Sequence, residues 1–146
     1  MNVYVLELSR ELARLGYEVD IFTRLDGELP RVEQIAPNLR LVRIEAGPAE
    51  PVEKEEIVRF LPEFHRNMRQ FAEEQPGGYD IIHSHYWQSG WAGTLLAREL
   101  DRPHVVMFHT LGEVKNRARF GEEEPRLRIR HERTIARRAT AIVTAS

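Results

Sequence analysis

Residues 80–110 carry the clearest structural signal in the chain, with the sequence DIIHSHYWQSGWAGTLLARELDRPHVVMFHT. The pattern predicts a buried strand over 80–84, a helix over about 89–100 and a second strand over 104–108. Continuously apolar strands are typical of a parallel sheet that helices cover on both faces. A strand–helix–strand unit of this kind predicts an α/β fold.

The flanking sequence extends the same alternation in both directions. The other predicted elements are, in chain order, a helix over 3–15 ended by Gly16, strands over 19–23 and 39–44, a helix over about 52–74 interrupted near Pro62, a helix after Pro125, and a last strand over 141–145. The strand at 39–44 alternates, which places it nearer an edge of the sheet. We therefore expect a Rossmann-like parallel sheet with helices on both faces.

The first predicted helix needs a strand before it, because a parallel crossover connection begins and ends on a strand. The sequence also stops directly after a predicted strand. We therefore expect residues 1–146 to be one domain of a longer protein, truncated at both ends and lacking its first strand. Since that strand is central in a Rossmann-like sheet, its loss would leave a gap between the strands at 19–23 and 80–84.

The composition limits the class of protein. The 146 residues are 42% hydrophobic and 30% charged, which supports a buried core. The 21 basic and 23 acidic residues give a net charge of -2, which argues against a basic nucleic-acid binder. The lack of cysteine excludes disulfides, thiolate metal sites and a cysteine nucleophile. Since no apolar run approaches the ~18 residues of a membrane helix, we expect a soluble, cytoplasmic protein.

Polar side chains follow the two strands of residues 80–110, at the edge where parallel sheets bind ligands. The candidates there are His83, His85 and Tyr86 at the first strand, and His109 and Thr110 at the second. A functional role is favoured for His109, because it follows four apolar residues and opens a loop with a glycine. His83 fits a structural and a functional role alike, whereas a structural role is favoured for His85.

Two further patterns at this edge concern packing and metal binding. Trp87 and Trp91 are spaced i, i+4, which favours core packing for both. The histidines His83, His85 and His109 offer a conceivable set of nitrogen ligands. A metal site is not favoured, because His-x-His is a weak signal and no nearby carboxylate completes the ligands.

Residues 115–138 hold nine of the 21 basic residues, and most of that charge fits a solvated helix. Pro125 suits the first turn, and acids before the helix and arginines at its end complement the helix dipole. Arg128 differs, since it borders the apolar stripe of the helix and is paired at i+4 with Glu132. A guanidinium held by a carboxylate is suited to binding phosphate, and Arg130 is the alternative for that role.

Four ordered blocks of the chain resemble family 4 of the retaining glycosyltransferases, which have the GT-B fold. The blocks are residues 1–5 with 8–24, residues 46–48 with 54–55, residues 83–87 with 89–90, and residues 108–112 with 114–115. Within the family, the chain resembles the group of bacterial sucrose-phosphate synthases and D-inositol-3-phosphate glycosyltransferases. The resemblance implies the N-terminal, acceptor-side domain of a two-domain enzyme, whose C-terminal domain holds most of the donor.

The same resemblance implies a reaction and roles for individual residues. Asn2 would face the phosphates of the donor, and His109 would lie beside the transferred sugar. The residues that would contact a phosphorylated acceptor are Lys54, Tyr86, Thr110 and Arg128. A nucleotide sugar, expected to be UDP-linked, would donate its sugar to a sugar phosphate or cyclitol phosphate. Transfer would retain configuration and need neither metal nor other cofactor, and nucleic acid would not be a partner.

Two alternatives remain open. One is a non-catalytic module of the same fold that binds a sugar phosphate or a nucleotide sugar. The other is a dinucleotide dehydrogenase, against which the chain has no G-x-G-x-x-G motif. If the glycosyltransferase interpretation holds, we expect residues 1–146 alone to be inactive, because the first strand and the C-terminal domain would be missing.

Overall fold

The computed structural model describes residues 3–53, 56–119, 121 and 123–144. The chain forms two compact units that divide between Phe71 and Ala72. Each unit contains a three-stranded sheet with helices, so the predicted α/β architecture is confirmed. In the described part of the chain, no helix is both long and apolar enough to cross a membrane.

The first unit packs helix and sheet around a small apolar core. Its elements are helix α1 (Val3–Arg14), strands β1 (Val19–Arg24), β2 (Val32–Ala36) and β3 (Leu39–Ile44), a 3₁₀ helix (Ile57–Phe60), and helix α2 (Leu61–Glu73), which runs across the boundary between the units. The buried centre of this core consists of Ala13, Ile21, Leu39 and Leu41. The helix and first strand therefore form as predicted, with ends within one residue of those expected.

Strand β3 is the central strand of the first sheet, so its predicted place nearer an edge was wrong. β1 pairs with one side of it in parallel, with Val19 opposite Leu39. β2 was not predicted and pairs with the other side in antiparallel orientation, which makes this sheet mixed. The sequence did not indicate β2 because its first three residues are exposed and it has no buried alternating face.

The helix predicted over about 52–74 is shorter than expected. A 3₁₀ helix occupies Ile57–Phe60, and regular α-helix begins only at Leu61. Pro62 lies in the first turn of α2, where its missing N–H removes no helical hydrogen bond. The interruption expected near Pro62 is therefore the junction between the two helices and not a kink.

The second unit contains the parallel sheet predicted from residues 80–110. Its elements are β4 (Ile82–His85), α3 (Tyr86–Glu99), β5 (His104–Met107), α4 (Gly112–Ala118), α5 (Arg126–Arg138) and β6 (Ala141–Ile142). The strand order is β4-β5-β6, with both pairings parallel. β1 and β4 belong to different sheets.

Three elements of the second unit differ from the prediction. Helix α3 begins at Tyr86, three residues before the expected start, and helix α4 forms where a loop is predicted. β6 is limited to two exposed residues, and position 145 of the predicted strand lies outside the described residues. Because β6 pairs with β5 at the margin of the sheet, it does not have the two covered faces of a buried strand.

Helix α3 approaches the second sheet closely at Gly93. A Cβ atom at this position would lie 2.9 Å from Nε2 of His104 and 3.1 Å from Cβ of Ser84. The absence of a side chain therefore lets the helix contact β4 and β5 directly. Ser84 and His104 join the two strands beneath it, with 2.7 Å between Oγ and Nε2.

Candidate functional site

The second unit places the carboxyl ends of β4 and β5 side by side. The strands are parallel with His85 opposite Met107, so the residues that follow them lie at one edge of the sheet. Tyr86 and His109 both have left-handed backbone there, with φ of 72° and 62°. For non-glycine residues this conformation costs about 1–3 kcal/mol and is concentrated at functional sites. The edge that the sequence predicts as the ligand site is therefore also a place of backbone strain.

Arg128 reaches this edge from α5 and is almost fully buried, with 2% of the residue exposed. Its Nη2 donates to the carbonyl oxygen of Thr110 at 2.8 Å and to the hydroxyl oxygen of Thr110 at 3.0 Å. Its guanidinium carbon lies 4.8 Å from the centre of the Tyr86 ring, within cation–π distance. The structure thus brings together three predicted site residues, whereas the alternative, Arg130, is exposed.

Glu132 holds Arg128 from the same helix, which confirms the pairing predicted from the i, i+4 spacing. Its Oε1 accepts a hydrogen bond from Arg128 Nε at 2.7 Å. Both carboxylate oxygens also accept from the backbone N–H of Gly112, at 2.9 and 3.2 Å. The prediction that Arg128 lies at the edge of the buried face was therefore wrong. Arg128 lies inside the protein, because Thr110, Glu132 and a further carboxylate cover it.

That further carboxylate belongs to Glu124, in the loop before α5. One of its oxygens lies 2.8 Å from Arg128 Nη1, and the other accepts from the ammonium group of Lys115. Asn116 holds the backbone of Glu124, since its Oδ1 accepts from the Glu124 N–H at 2.8 Å. The hydrogen bond from Lys115, together with Arg128, lowers the pKa of the Glu124 carboxyl, so this group is ionised at neutral pH.

These side chains form one network of balanced charge, which we call the Arg128 cluster. It consists of Lys115, Glu124, Arg128 and Glu132. Every nitrogen of the guanidinium faces an acceptor, which is what makes burial of this charge tolerable. The sequence did not identify two of its members, Lys115 and Glu124. Glu124 stands four residues before Arg128, the spacing that identified Glu132, but its charge was assigned to the helix dipole.

Three histidines form a row along the same edge. The ring centres of His83 and His85 are 4.4 Å apart, and those of His85 and His109 are 5.2 Å apart. Nδ1 of His85 lies 3.0 Å from Nε2 of His109, so one ring donates to the other. Burial and then the neighbouring His83 and His109 lower the pKa of His85 to about 4. A neutral His85 therefore orients the ring of His109.

Two other histidines support the sheet and helix beneath this row. Burial lowers the pKa of His104 to about 4, and the charge of His83 contributes a smaller part of this shift. His131 stacks on Trp87 with 5.7 Å between ring centres, and Trp87 is buried, as its predicted core role requires. Trp91 is half-buried.

The histidine row does not resemble a metal centre. Among the residues with described positions, no group of three histidine or acidic side chains is arranged to hold a metal ion. The rings of the row lie against one another, tilted by 36° and 35°. This geometry favours ring contacts and hydrogen bonding within the row.

Two predicted site residues, Asn2 and Lys54, fall outside the described residues, and their roles stay predictions. The loop before Lys54 belongs to the first unit. Arg24 holds it, since its guanidinium donates to the carbonyl oxygens of Pro48 at 2.7 Å and Glu50 at 2.8 Å. Arg24 was not singled out from the sequence, because contacts to backbone carbonyls across more than twenty residues leave no local pattern.

Known proteins resemble the chain over its whole length. Residues 1–146 match the model of Glycosyltransferase Family 4. A D-inositol 3-phosphate glycosyltransferase of Streptomyces scabiei is 41% identical over 147 residues, which cover 98% of this chain and 33% of the relative. One of Corynebacterium efficiens is 48% identical over 130 residues, covering 86% of this chain and 30% of the relative.

A solved structure of a related protein shares the fold of this chain. Sucrose-phosphate synthase from Thermosynechococcus elongatus superposes with a TM-score of 0.89 at 31% identity, covering 99% of this chain and 36% of that chain. The chain thus spans about a third of the length of each of these three proteins.

Proposed function

Because the chain belongs to glycosyltransferase family 4, we propose that it is the N-terminal, acceptor-binding part of a longer glycosyltransferase. The donor in this proposal is a nucleotide sugar, UDP-linked, held mainly by a C-terminal domain. The acceptor is a phosphorylated sugar or cyclitol. Relatives named for D-inositol 3-phosphate, and a structural neighbour named for sucrose phosphate, support a phosphorylated compound at this site.

The observation that carries the proposal is the meeting of Tyr86, Thr110 and Arg128 at the edge of the second sheet. A phosphate dianion needs several charge-assisted donors that converge on it. Arg128 supplies the charge, and the phenol of Tyr86 and the hydroxyl of Thr110 supply O–H donors from two other elements. For Lys54 we propose a contact with the same phosphate, on the resemblance alone.

Sugar transfer develops positive charge on the sugar ring and negative charge on the leaving diphosphate, so the protein contributes mainly position and electrostatics. Binding the acceptor by its phosphate fixes the attacking hydroxyl relative to the donor. We propose that His109, oriented by His85 at 3.0 Å, lies beside the transferred sugar, and that Asn2 faces the donor phosphates. In the family pattern the leaving phosphate accepts the acceptor's proton, so we propose retention without a metal.

The test compares phosphorylated and unphosphorylated acceptors with the full-length protein. We expect Thr110→Val and Lys54→Ala to lower kcat/KM about 10- to 100-fold for inositol phosphate or fructose 6-phosphate, the effect of losing one hydrogen bond to a charged group. Use of inositol or fructose, which we expect to be weak, should change little. Arg130→Ala is the matched control, since Arg130 is exposed on the same helix as Arg128.

Equal losses for the phosphorylated and unphosphorylated acceptors would contradict phosphate recognition at this edge. Binding of a sugar phosphate without any turnover by the full-length protein would instead favour the non-catalytic module.

A further inference from the structure

The burial of Arg128 raises a question about access to the proposed acceptor site. Only 2% of the residue is exposed, so a phosphate reaches the guanidinium only if one of the covering groups moves. The Nε and Nη2 nitrogens face Glu132 and Thr110, and Nη1 faces Glu124. Which of these contacts can open determines where the phosphate binds.

Glu132 is the contact least able to move. Its carboxylate is bound to Arg128 Nε and to the backbone N–H of Gly112, which leads into α4. The residue is 4% exposed, so a released carboxylate would have no water to replace these partners. Thr110 is fixed as well, because one of its two contacts to Arg128 comes from its backbone carbonyl.

Glu124 differs from both in its surroundings. Its side chain is 13% exposed and lies in the loop before α5, so its carboxylate can turn toward solvent. Asn116 holds both its backbone N–H and its carbonyl oxygen, at 2.8 and 3.3 Å. The side chain can therefore rotate away while the backbone of Glu124 stays in place.

The position of the Glu124 carboxylate is that of an anion held between two cations. One oxygen faces Arg128 Nη1 and the other faces the ammonium group of Lys115. A phosphate in the same place would carry more charge and a third acceptor oxygen, so it would bind both cations more strongly.

Resting on the proposed function, we propose that the Glu124 carboxylate occupies the place of the acceptor's phosphate between Lys115 and Arg128, and that the phosphate binds by displacing it. Lys115 is then a second cation of the acceptor site, next to Arg128. Glu124 acts as a built-in competitor for this place, which only an anionic group can take from it. An acceptor without a phosphate leaves the carboxylate where it is, so the two do not compete. The low pKa of its carboxyl keeps this competitor ionised at neutral pH.

The experiment measures KM for a phosphorylated acceptor and for its unphosphorylated counterpart with the full-length protein. We expect Glu124→Gln to lower KM for the phosphorylated acceptor about fivefold, because one charge-assisted contact no longer competes. KM for the nucleotide sugar and for the unphosphorylated acceptor should stay the same. Lys115→Gln should raise KM for the phosphorylated acceptor about tenfold. Glu123→Gln is the matched control, since it removes the same charge from an exposed neighbour.

A purely structural role of Glu124 gives a different result. In that case Glu124→Gln would lower the melting temperature and raise KM for the phosphorylated acceptor, which would overturn the inference. An unchanged KM would overturn it as well. If the unsubstituted protein itself shows no preference for phosphorylated acceptors, the proposed function fails and the inference with it. The acceptor preference of the unsubstituted protein therefore distinguishes failure of the proposed function from failure of this inference alone.

Discussion

Arg128→Met is expected to lower the free energy of unfolding by about 3–5 kcal/mol, because it leaves a buried carboxylate without its cation. Glu132 is 4% exposed and would keep only the N–H of Gly112. Glu124 would keep Lys115 and is closer to solvent, so the main penalty falls on Glu132. Urea unfolding of the protein measures the loss.

A second substitution separates loss of charge balance from loss of packing. Arg128→Met combined with Glu132→Gln removes both charges and retains an acceptor for the Gly112 N–H, so about half of the stability or more should return. The control Arg130→Met, at an exposed position of the same helix, should stay within about 0.5 kcal/mol of the unsubstituted protein. A double variant no more stable than Arg128→Met would contradict the charge balance described for the Arg128 cluster.

The protein should lose stability steadily as the pH falls from about 6.5 to about 4. Burial lowers the pKa values of His104 and His85 from the ordinary 6.5 to about 4, so the folded protein holds both rings neutral in this range. The unfolded chain binds protons on them with the ordinary pKa. Because the unfolded state then binds more protons, the free energy of unfolding decreases as pH decreases, and this effect ends below about pH 4.

His104 carries the part of this effect that is simplest to isolate, since it is 3% exposed and bonded to Ser84. Its share is about 2 kcal/mol over the window, after allowance for screening by solvent. Urea unfolding at a series of pH values should give a flatter profile for His104→Gln between pH 4 and 6.5. The lowered carboxyl pKa values of Glu113 and Glu124 act below about pH 4.5, where both profiles should fall together. Equal slopes above that pH would contradict a neutral, buried His104.

Much of the fold was predictable because the strong elements are local. The run around Val105 and Val106 is apolar enough to form a covered strand, and it lies at the centre of the second sheet. Weak elements were not predictable for the same reason. Strand β2 has a mostly exposed pattern and forms because β3 offers it a free side, which is a tertiary cause.

Only those site residues were predictable that have a characteristic spacing or directly follow a strand. Tyr86 and Thr110 follow strands, and Arg128 was identified by its i, i+4 partner Glu132. Lys115 gave no such signal, because its partner Glu124 is nine residues away and lies outside helix α4. The burial of Arg128 was also hidden, since it depends on groups from three separate segments.

The edge of the second sheet combines the residues proposed to bind the acceptor with the residue proposed to lie beside the transferred sugar. Tyr86 and His109 follow two parallel strands that end at one edge of the second sheet, and both have left-handed backbone. The guanidinium of Arg128 lies against the ring of Tyr86 at this edge. An acceptor bound there by its phosphate would present its hydroxyl groups along the edge, next to His109. The charge balance that permits burial of Arg128 is also what an incoming phosphate would have to exchange.

The most direct measurement is the position of the acceptor's phosphorus in a structure of the full-length protein bound to its phosphorylated acceptor. We predict the phosphorus within about 4 Å of Nη1 of Arg128 and of the Thr110 hydroxyl, with the Glu124 carboxylate turned toward solvent. A phosphate bound elsewhere, with the pair of Arg128 and Glu124 intact, would contradict the account.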